Sequence, residues 1–330
     1  MSTVKKVRLQ SFDLLKAFSM FLVLWGHCLQ DFISSPVIDN SLWRHMYSFK
    51  MALFMMVSGY FAMSSMKLTF IELVKKKATN LLLPSLVWAI ILFIGLSLFH
   101  KNTTVGYLFY SYLWYLKCSF LCYVLSYISV NFGNFSIKYR HLLIAIAVIA
   151  TIALTLVTNR FRLKELYPCF LIGLYIRYNP DFLKILVKKF YFPLFLFLVM
   201  LFFYDDITYL NDYNKVVVLP FKIVIGVAGA LFFIGLFNLL LAKPNESPVV
   251  KTMCDFGKYT LGIYILQSIL LEKILGNILN LDGVNIHVFN YVITPVISIC
   301  MLFVCKWITI LIKRNRIAEF ILLGKPLVRQ

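Results

Sequence analysis

Charge is what this chain has least of. Of its 330 residues only 14% are charged, and acidic residues number just 14, where an ordinary soluble domain carries about 25% charged residues. With 61% hydrophobic residues, a soluble globule is excluded. Cysteines number seven, an odd count with no paired metal-type spacing, and most lie inside apolar runs. That pattern excludes a disulfide framework and a zinc site and reads as free thiols. There is no long polar low-complexity stretch and no internal repeat at a fixed period. No small-residue cleavage site follows the first apolar run, so that run is expected to be a retained helix rather than a signal peptide. Only 18 residues follow position 312, and no appended soluble domain is expected.

What is there is a succession of apolar runs spread over nearly the whole chain. Candidate transmembrane helices cover roughly 12–30, 46–66, 81–99, 107–131, 141–158, 167–178, 191–204, 216–241, 259–276 and 288–312. The expected fold is an all-α polytopic helix bundle of about ten spans, a single membrane-embedded domain over 1–330. The basic residues, 33 Lys and Arg for a net charge of +19, fall mainly in the gaps between runs. They therefore read as topology signals and contacts to anionic lipid, not as a nucleic-acid surface. The N-terminus, beginning with Lys5, Lys6 and Arg8, together with the even-numbered loops and the C-tail, holds 21 of them, the opposite side 8. The positive-inside rule then puts both termini in the cytoplasm.

Ionisable residues inside spans cost about 2.5–3.5 kcal/mol each at a helix centre, so their positions are informative. Lys16 and His27 in the first span are eleven residues apart, close to three turns, and share a face about 16 Å apart. Asp13 lies one turn before Lys16 and Asp31 one turn beyond His27, making one stripe. Imidazole is the natural general base for activating a hydroxyl, and a carboxylate one turn away can fix its tautomer. Asp13 reads equally well as a simple ion-pair partner of Lys16. Lys75, Lys76 and Lys77 form a triplet that could bind phosphates by point charge or serve only as a topology anchor. His45, His100, His141, His287, Gly133-Asn134 and Asp205-Asp206 fall at helix ends or in loops and receive no role.

Several ordered motifs resemble the acyltransferase-3 family of membrane enzymes, which O-acylate surface polysaccharides and related glycans. The basic-x10-His pattern is matched by Lys16 and His27. Phe49-Lys-Met-Ala-Leu-Phe54 and Ser58-Gly59-Tyr60-Phe61 match the second helix, and the basic cluster leading to Leu-Leu-Pro84 and Trp88 follows. Then come Leu113-Trp-Tyr-Leu-Lys117, Tyr167-Pro-Cys-Phe-Leu-Ile-Gly173 and Leu261-Gly-Ile-Tyr-Ile-Leu-Gln267. The chain departs from the family where His-Met-Pro is replaced by Lys50-Met51-Ala52, where a pair of arginines is represented by Lys77 and Asn80, and where Gln267 stands at a frequent histidine.

The resemblance implies transfer of an acyl group, acetyl foremost, from acyl-CoA as co-substrate to a hydroxyl of a cell-surface or lipid-linked glycan. The setting would be a bacterial cytoplasmic membrane, with no metal. It makes His27 the general base or acyl carrier, with Lys16 and Asp31 as further catalytic residues, and Lys75, Lys76, Lys77 and Asn80 the donor site. Asp13, Lys50, Trp114, Tyr115, Lys117, Tyr264 and Gln267 are expected to line the substrate path. The rival reading is a secondary transporter or glycan flippase, in which the charged stripe is a proton relay or substrate path.

Overall fold

In a computed structural model, residues 10–98, 104–132, 134, 139–157, 162–204, 215–242 and 247–325 are described. Lys5, Lys6, Arg8, His100, Gly133 and Asp205-Asp206 lie outside the described residues. Among those described, the regular structure is entirely helical. In a membrane every backbone N–H and C=O must be paired within its own segment, which helices do and open sheets do not. Five helical stretches are long and apolar enough to cross: Gln10–Asp31, Phe70–Ser97, Val218–Leu240, Thr260–Ile278 and Ile286–Ile312. The number rises to seven if each of two bent pairs counts as one span. Large apolar side chains such as Phe195, Phe202, Ile149 and Trp307 point outward, as expected where lipid is the solvent.

The chain falls into two compact units. The first comprises residues 1–57 and 179–306, the second residues 58–178 and 307–330.

In the first unit, α1 (Gln10–Asp31) is the most enclosed of the candidate spans. It packs against α11 (Lys215–Leu240), the short α12 (Pro248–Phe256), α13 (Thr260–Ile269) and the π-helical stretch Leu270–Leu275 that extends α13. Phe18 packs on Phe233 and Phe237, while Phe49 of α2 (Ser41–Tyr60) packs on Phe197 and Phe233. Gly257 seats α12 against α1, since a Cβ there would lie 2.2 Å from the Asp13 carbonyl oxygen. Asp255 of α12 accepts from Lys258 at 2.8 Å and Lys306 at 2.6 Å. Although partial burial acts against it, these two ammonium groups hold its carboxyl below the usual range. α14 (Thr294–Ile312) is fixed to α1 by Trp25, whose indole donates to the Asn290 carbonyl and the Thr294 hydroxyl, and by the Ser298–Cys28 contact.

The second unit holds α3 (Phe70–Lys77), α4 (Leu83–Leu98), α5 (Val105–Ser111), α6 (Trp114–Phe132), α7 (Arg140–Val157), α8 (Leu163–Tyr178) and α15 (Arg316–Leu323). Thr69 and Glu72 start α3 with a reciprocal capping box. The motif glycine Gly59 allows α8 to approach, because a Cβ there would sit 2.0 Å from the Phe170 carbonyl oxygen. α15 ends at Gly324, whose positive φ of 64° and paired bonds to Phe320 and Glu319 carbonyls make a left-handed cap.

Three expected elements come out differently. The span expected at 107–131 is broken: α5 and α6 meet at 67°, with Leu113 forced to a φ of 51° at the corner. The segment expected at 191–204 is α10 (Tyr191–Phe202), 12 residues long and bent 69° from α9 (Pro180–Lys188), which fills what reads in sequence as a loop. Lys75–Lys77 likewise lie in helix, because α3 runs through the π-helical stretch Ala78–Leu82 into α4 as one stretch, Phe70–Ser97.

Candidate functional site

In the first unit α1 is unbroken to Asp31, so Asp13, Lys16, His27 and Asp31 stand on one helix. At one end, Lys16 Nζ lies 3.6 Å from Asp13 Oδ1. At the other, His27 Nδ1 lies 3.9 Å from Asp31 Oδ2 across one turn.

The opposite nitrogen of His27 meets a residue that the sequence did not single out. Its Nε2 is 3.6 Å from Glu272 Oε1, and Gln267 Nε2 donates to that same Oε1 at 3.4 Å. In an α-helix five residues turn about 500°, which would leave position 272 roughly 140° from position 267. π geometry closes bonds from i to i+5 and stacks the two side chains on one face. An α-helical reading of the periodicity therefore hides Glu272. Its one signal was an unpaired acid within an apolar run, and the π-helical register that uses it has no sequence signature.

Two glycines let the groups close in. A Cβ at Gly26 would lie 1.9 Å from Lys50 Nζ, so the buried ammonium of α2 occupies the space a larger residue 26 would fill, one residue from His27. A Cβ at Gly276 would meet the Asp31 side chain at 3.1 Å. Lys50 and Lys273 supply positive charge beside His27, Asp31 and Glu272. Tyr264 is buried on α13 one turn before Gln267.

Five buried side-chain polar atoms lack a hydrogen-bond partner among the described residues, and three of them, His27 Nδ1, Asp31 Oδ2 and Gln267 Oε1, are here. Each such atom costs about 1–3 kcal/mol, so their concentration marks a place organised for something other than stability. The side chains of His27, Asp31 and Glu272 nonetheless keep 25, 19 and 23% exposure, so all three remain partly accessible.

Just beyond Asp31 in the chain, the Ser34 backbone N–H donates to Asp282 at 2.8 Å and the Leu281 N–H to the Phe32 carbonyl at 2.8 Å. Ser34, through its side chain and then its backbone, holds the Asp282 carboxyl below the usual range. Buried Asn40 and Asn290 exchange amide hydrogen bonds beneath this loop pair.

The remaining expected residues belong to the second unit. Lys75 and Lys76 are exposed on α3, whereas Lys77 turns inward and stands 3.5 Å over the Tyr123 ring. The three lysines are therefore not equivalent. Asn80 lies in the π-helical stretch, against which Gly324 packs so closely that a Cβ would meet the Thr79 carbonyl oxygen at 2.3 Å. Trp88 donates to the Leu322 carbonyl at 3.0 Å, docking α15 onto α4. Tyr115 is buried with its hydroxyl 3.0 Å from Ser58, and Trp114 packs edge-on against it. Lys117 donates to Ser85 Oγ and to the Phe109 and Tyr112 carbonyls. An ammonium has three hydrogens, so Lys117 serves as a clamp across the α5–α6 corner. No group of His, Cys, Asp and Glu suited to hold a metal occurs among the described residues.

The family profile described as an acyltransferase domain matches residues 9–313. The nodulation protein NolL of Sinorhizobium fredii is 28% identical over 179 residues, covering 49% of this chain. The match spans about half the length of that relative, 47%. No solved structure matches the chain. With the profile running through almost every described helix and apolar stretches long enough to cross a bilayer, the chain belongs to the acyltransferase-3 family and is membrane-embedded.

Proposed function

We propose that the protein moves an acyl group, acetyl in the first instance, from acyl-CoA to a hydroxyl of a cell-surface or lipid-linked glycan at a bacterial cytoplasmic membrane. The observation that carries this reading is His27, an imidazole on an enclosed helix of an acyltransferase-family chain, with Asp31 facing its Nδ1 at 3.9 Å. The negative charge of Asp31 one turn away favours the tautomer with its proton on Nδ1, which leaves the Nε2 lone pair for chemistry. As the acceptor oxygen attacks the thioester carbonyl, Nε2 takes the hydroxyl proton. The C–S bond then breaks, the imidazolium gives that proton to the leaving thiolate, and the products are an ester and free CoA. In a two-step route the same Nε2 would carry the acyl group.

Exposed Lys75 and Lys76 meet the donor phosphates as point charges, with Lys77 and Asn80 behind them. The Asp13–Lys16 pair closes the cytoplasmic end of the stripe. In the first unit Tyr264 lines the acceptor path beside Gln267. Ten spans with both termini cytoplasmic follow if each bent pair crosses once and α2, α7 and α8 cross as well, which the basic-residue asymmetry supports.

Mass spectrometry of the host's surface glycans tests the reading, comparing strains that carry the gene, lack it, or carry His27→Ala. Loss of one acyl mass in both altered strains is expected. Acylation retained with His27→Ala removes His27 from the chemistry, and glycans unacylated throughout but scarcer without the gene favour transport.

A further inference from the structure

His27 Nε2 and Glu272 Oε1 lie 3.6 Å apart on side chains that both keep some exposure, too far to bond each other and close enough to share one ligand. With the imidazole proton on Nδ1, both atoms are hydrogen-bond acceptors. Gln267 fixes the carboxylate from behind. Its amide cannot be turned round, because the oxygen would then face Glu272, so the N–H end lies on the carboxylate and Oε1 is left over. That Oε1 is fully buried and has no hydrogen-bond partner. Asp31 Oδ2 is likewise without one. The His27–Glu272 pair thus offers two acceptors side by side on partly exposed side chains. The charged groups around it are Asp31 on α1, Lys50 on α2, and Glu272 and Lys273 on the π-helical stretch.

Two acceptors at this spacing match two hydroxyls on neighbouring carbons, which can donate in parallel. Lys50 and Lys273 balance Asp31 and Glu272, so no net charge there favours an ionic ligand, and a monohydric alcohol would leave Glu272 without a ligand hydroxyl. Building on the reading of His27 as base, we propose that Glu272 and His27 form the acceptor subsite and that it takes a vicinal diol of a neutral polyol. The reactive hydroxyl donates to His27 Nε2 and its neighbour donates to Glu272, with Gln267 as the positioning residue. Glu272 then selects which hydroxyl is acylated, because the ring can enter only with the second hydroxyl on the carboxylate side.

The test uses the full-length protein in lipid nanodiscs, with acetyl-CoA as donor and CoA release as readout. Glycerol and methyl glucoside are the diol probes; 2-propanol and cyclohexanol are the monohydric ones. The diols are expected to be acetylated at least about 10-fold more efficiently than the monohydric alcohols. Glu272→Gln should raise the diol KM about 10-fold or more and erase the preference, leaving the acetyl-CoA KM within about 2-fold. Glu272→Asp should restore part of the diol affinity, and Gln267→Leu should weaken it without touching the acetyl-CoA KM. The unchanged donor KM also shows that each variant is folded. Wild-type diol KM in Glu272→Gln, equal use of monohydric alcohols, or no transfer to either diol would overturn the subsite. Transfer retained by His27→Ala overturns the general-base reading itself, whereas an inactive His27→Ala beside an unaffected Glu272→Gln overturns only the subsite.

Discussion

Glu272 Oε1 stands 3.6 Å from His27 Nε2 while Asp31 Oδ2 stands 3.9 Å from His27 Nδ1, so one imidazole lies between two carboxylates from different helices. Neither separation is a hydrogen bond, and a neutral ring has a single N–H to turn toward one carboxylate or the other. Asp31, one turn away on the same helix, is held at that distance by the helix itself, which leaves the Glu272 side as the working side.

His27→Ala should lower transfer by about 10²–10⁴-fold, the usual contribution of a positioned general base. Asp31→Asn should lower kcat with little change in the acyl-CoA KM, because it alters proton placement rather than donor binding. Steady-state kinetics on both variants, with insertion checked by membrane fractionation, measures this.

Gly26→Ala puts a methyl where the Lys50 ammonium lies. Overpacking of this kind costs about 1–3 kcal/mol. If the clash is with Lys50, Lys50→Ala should relieve it, and a double-mutant cycle by thermal unfolding should show coupling of about 0.5–3 kcal/mol. Additive effects would mean that the two residues do not meet.

Lys75→Ala with Lys76→Ala should raise the acyl-CoA KM and leave kcat nearly unchanged, the signature of lost uniform binding. Gly324→Ala should shift the same KM, because it strains a left-handed cap and pushes a methyl into the Thr79 carbonyl beside Asn80. An unchanged KM in the double lysine variant returns that cluster to topology alone.

Asp282 has its folded pKa below its unfolded value of about 3.9. Its contribution to the loop seat is therefore fully present above that unfolded value and is lost as pH falls through the lower folded one. Hydrogen exchange at Ser34 should be insensitive to this group from neutrality down to about pH 5, and should quicken at neutral pH in Asp282→Asn. Protection unchanged in the variant would mean that Asp282 does not hold the Ser34 backbone.

Where the sequence was read through α-helical periodicity, it reached the residues that lie on continuous α-helix. The Lys16–His27–Asp31 stripe is of that kind, since 3.6 residues per turn is a property of the local backbone. The α5–α6 corner was missed because its residues are as apolar as those of a straight span. The turn is made by one left-handed leucine and stabilised by Lys117 reaching back to two carbonyls. Lys77 was grouped with its neighbours because adjacency in sequence says nothing of direction, and a helix turns each successive side chain by about 100°.

By itself the sequence determined that the chain is helical and membrane-embedded, that it belongs to an acyltransferase family, and that an imidazole shares a helix face with a carboxylate. Composition, apolar runs and helical period are enough for these, because lipid tolerates few backbone structures. Only the tertiary structure decided that Glu272 is the second partner of His27, that Lys50 lies in the space left by Gly26, and that Lys117 is used up as a clamp. Those choices depend on a change of helical register and on which helices touch, and contacts between segments distant in sequence leave no periodic trace in it.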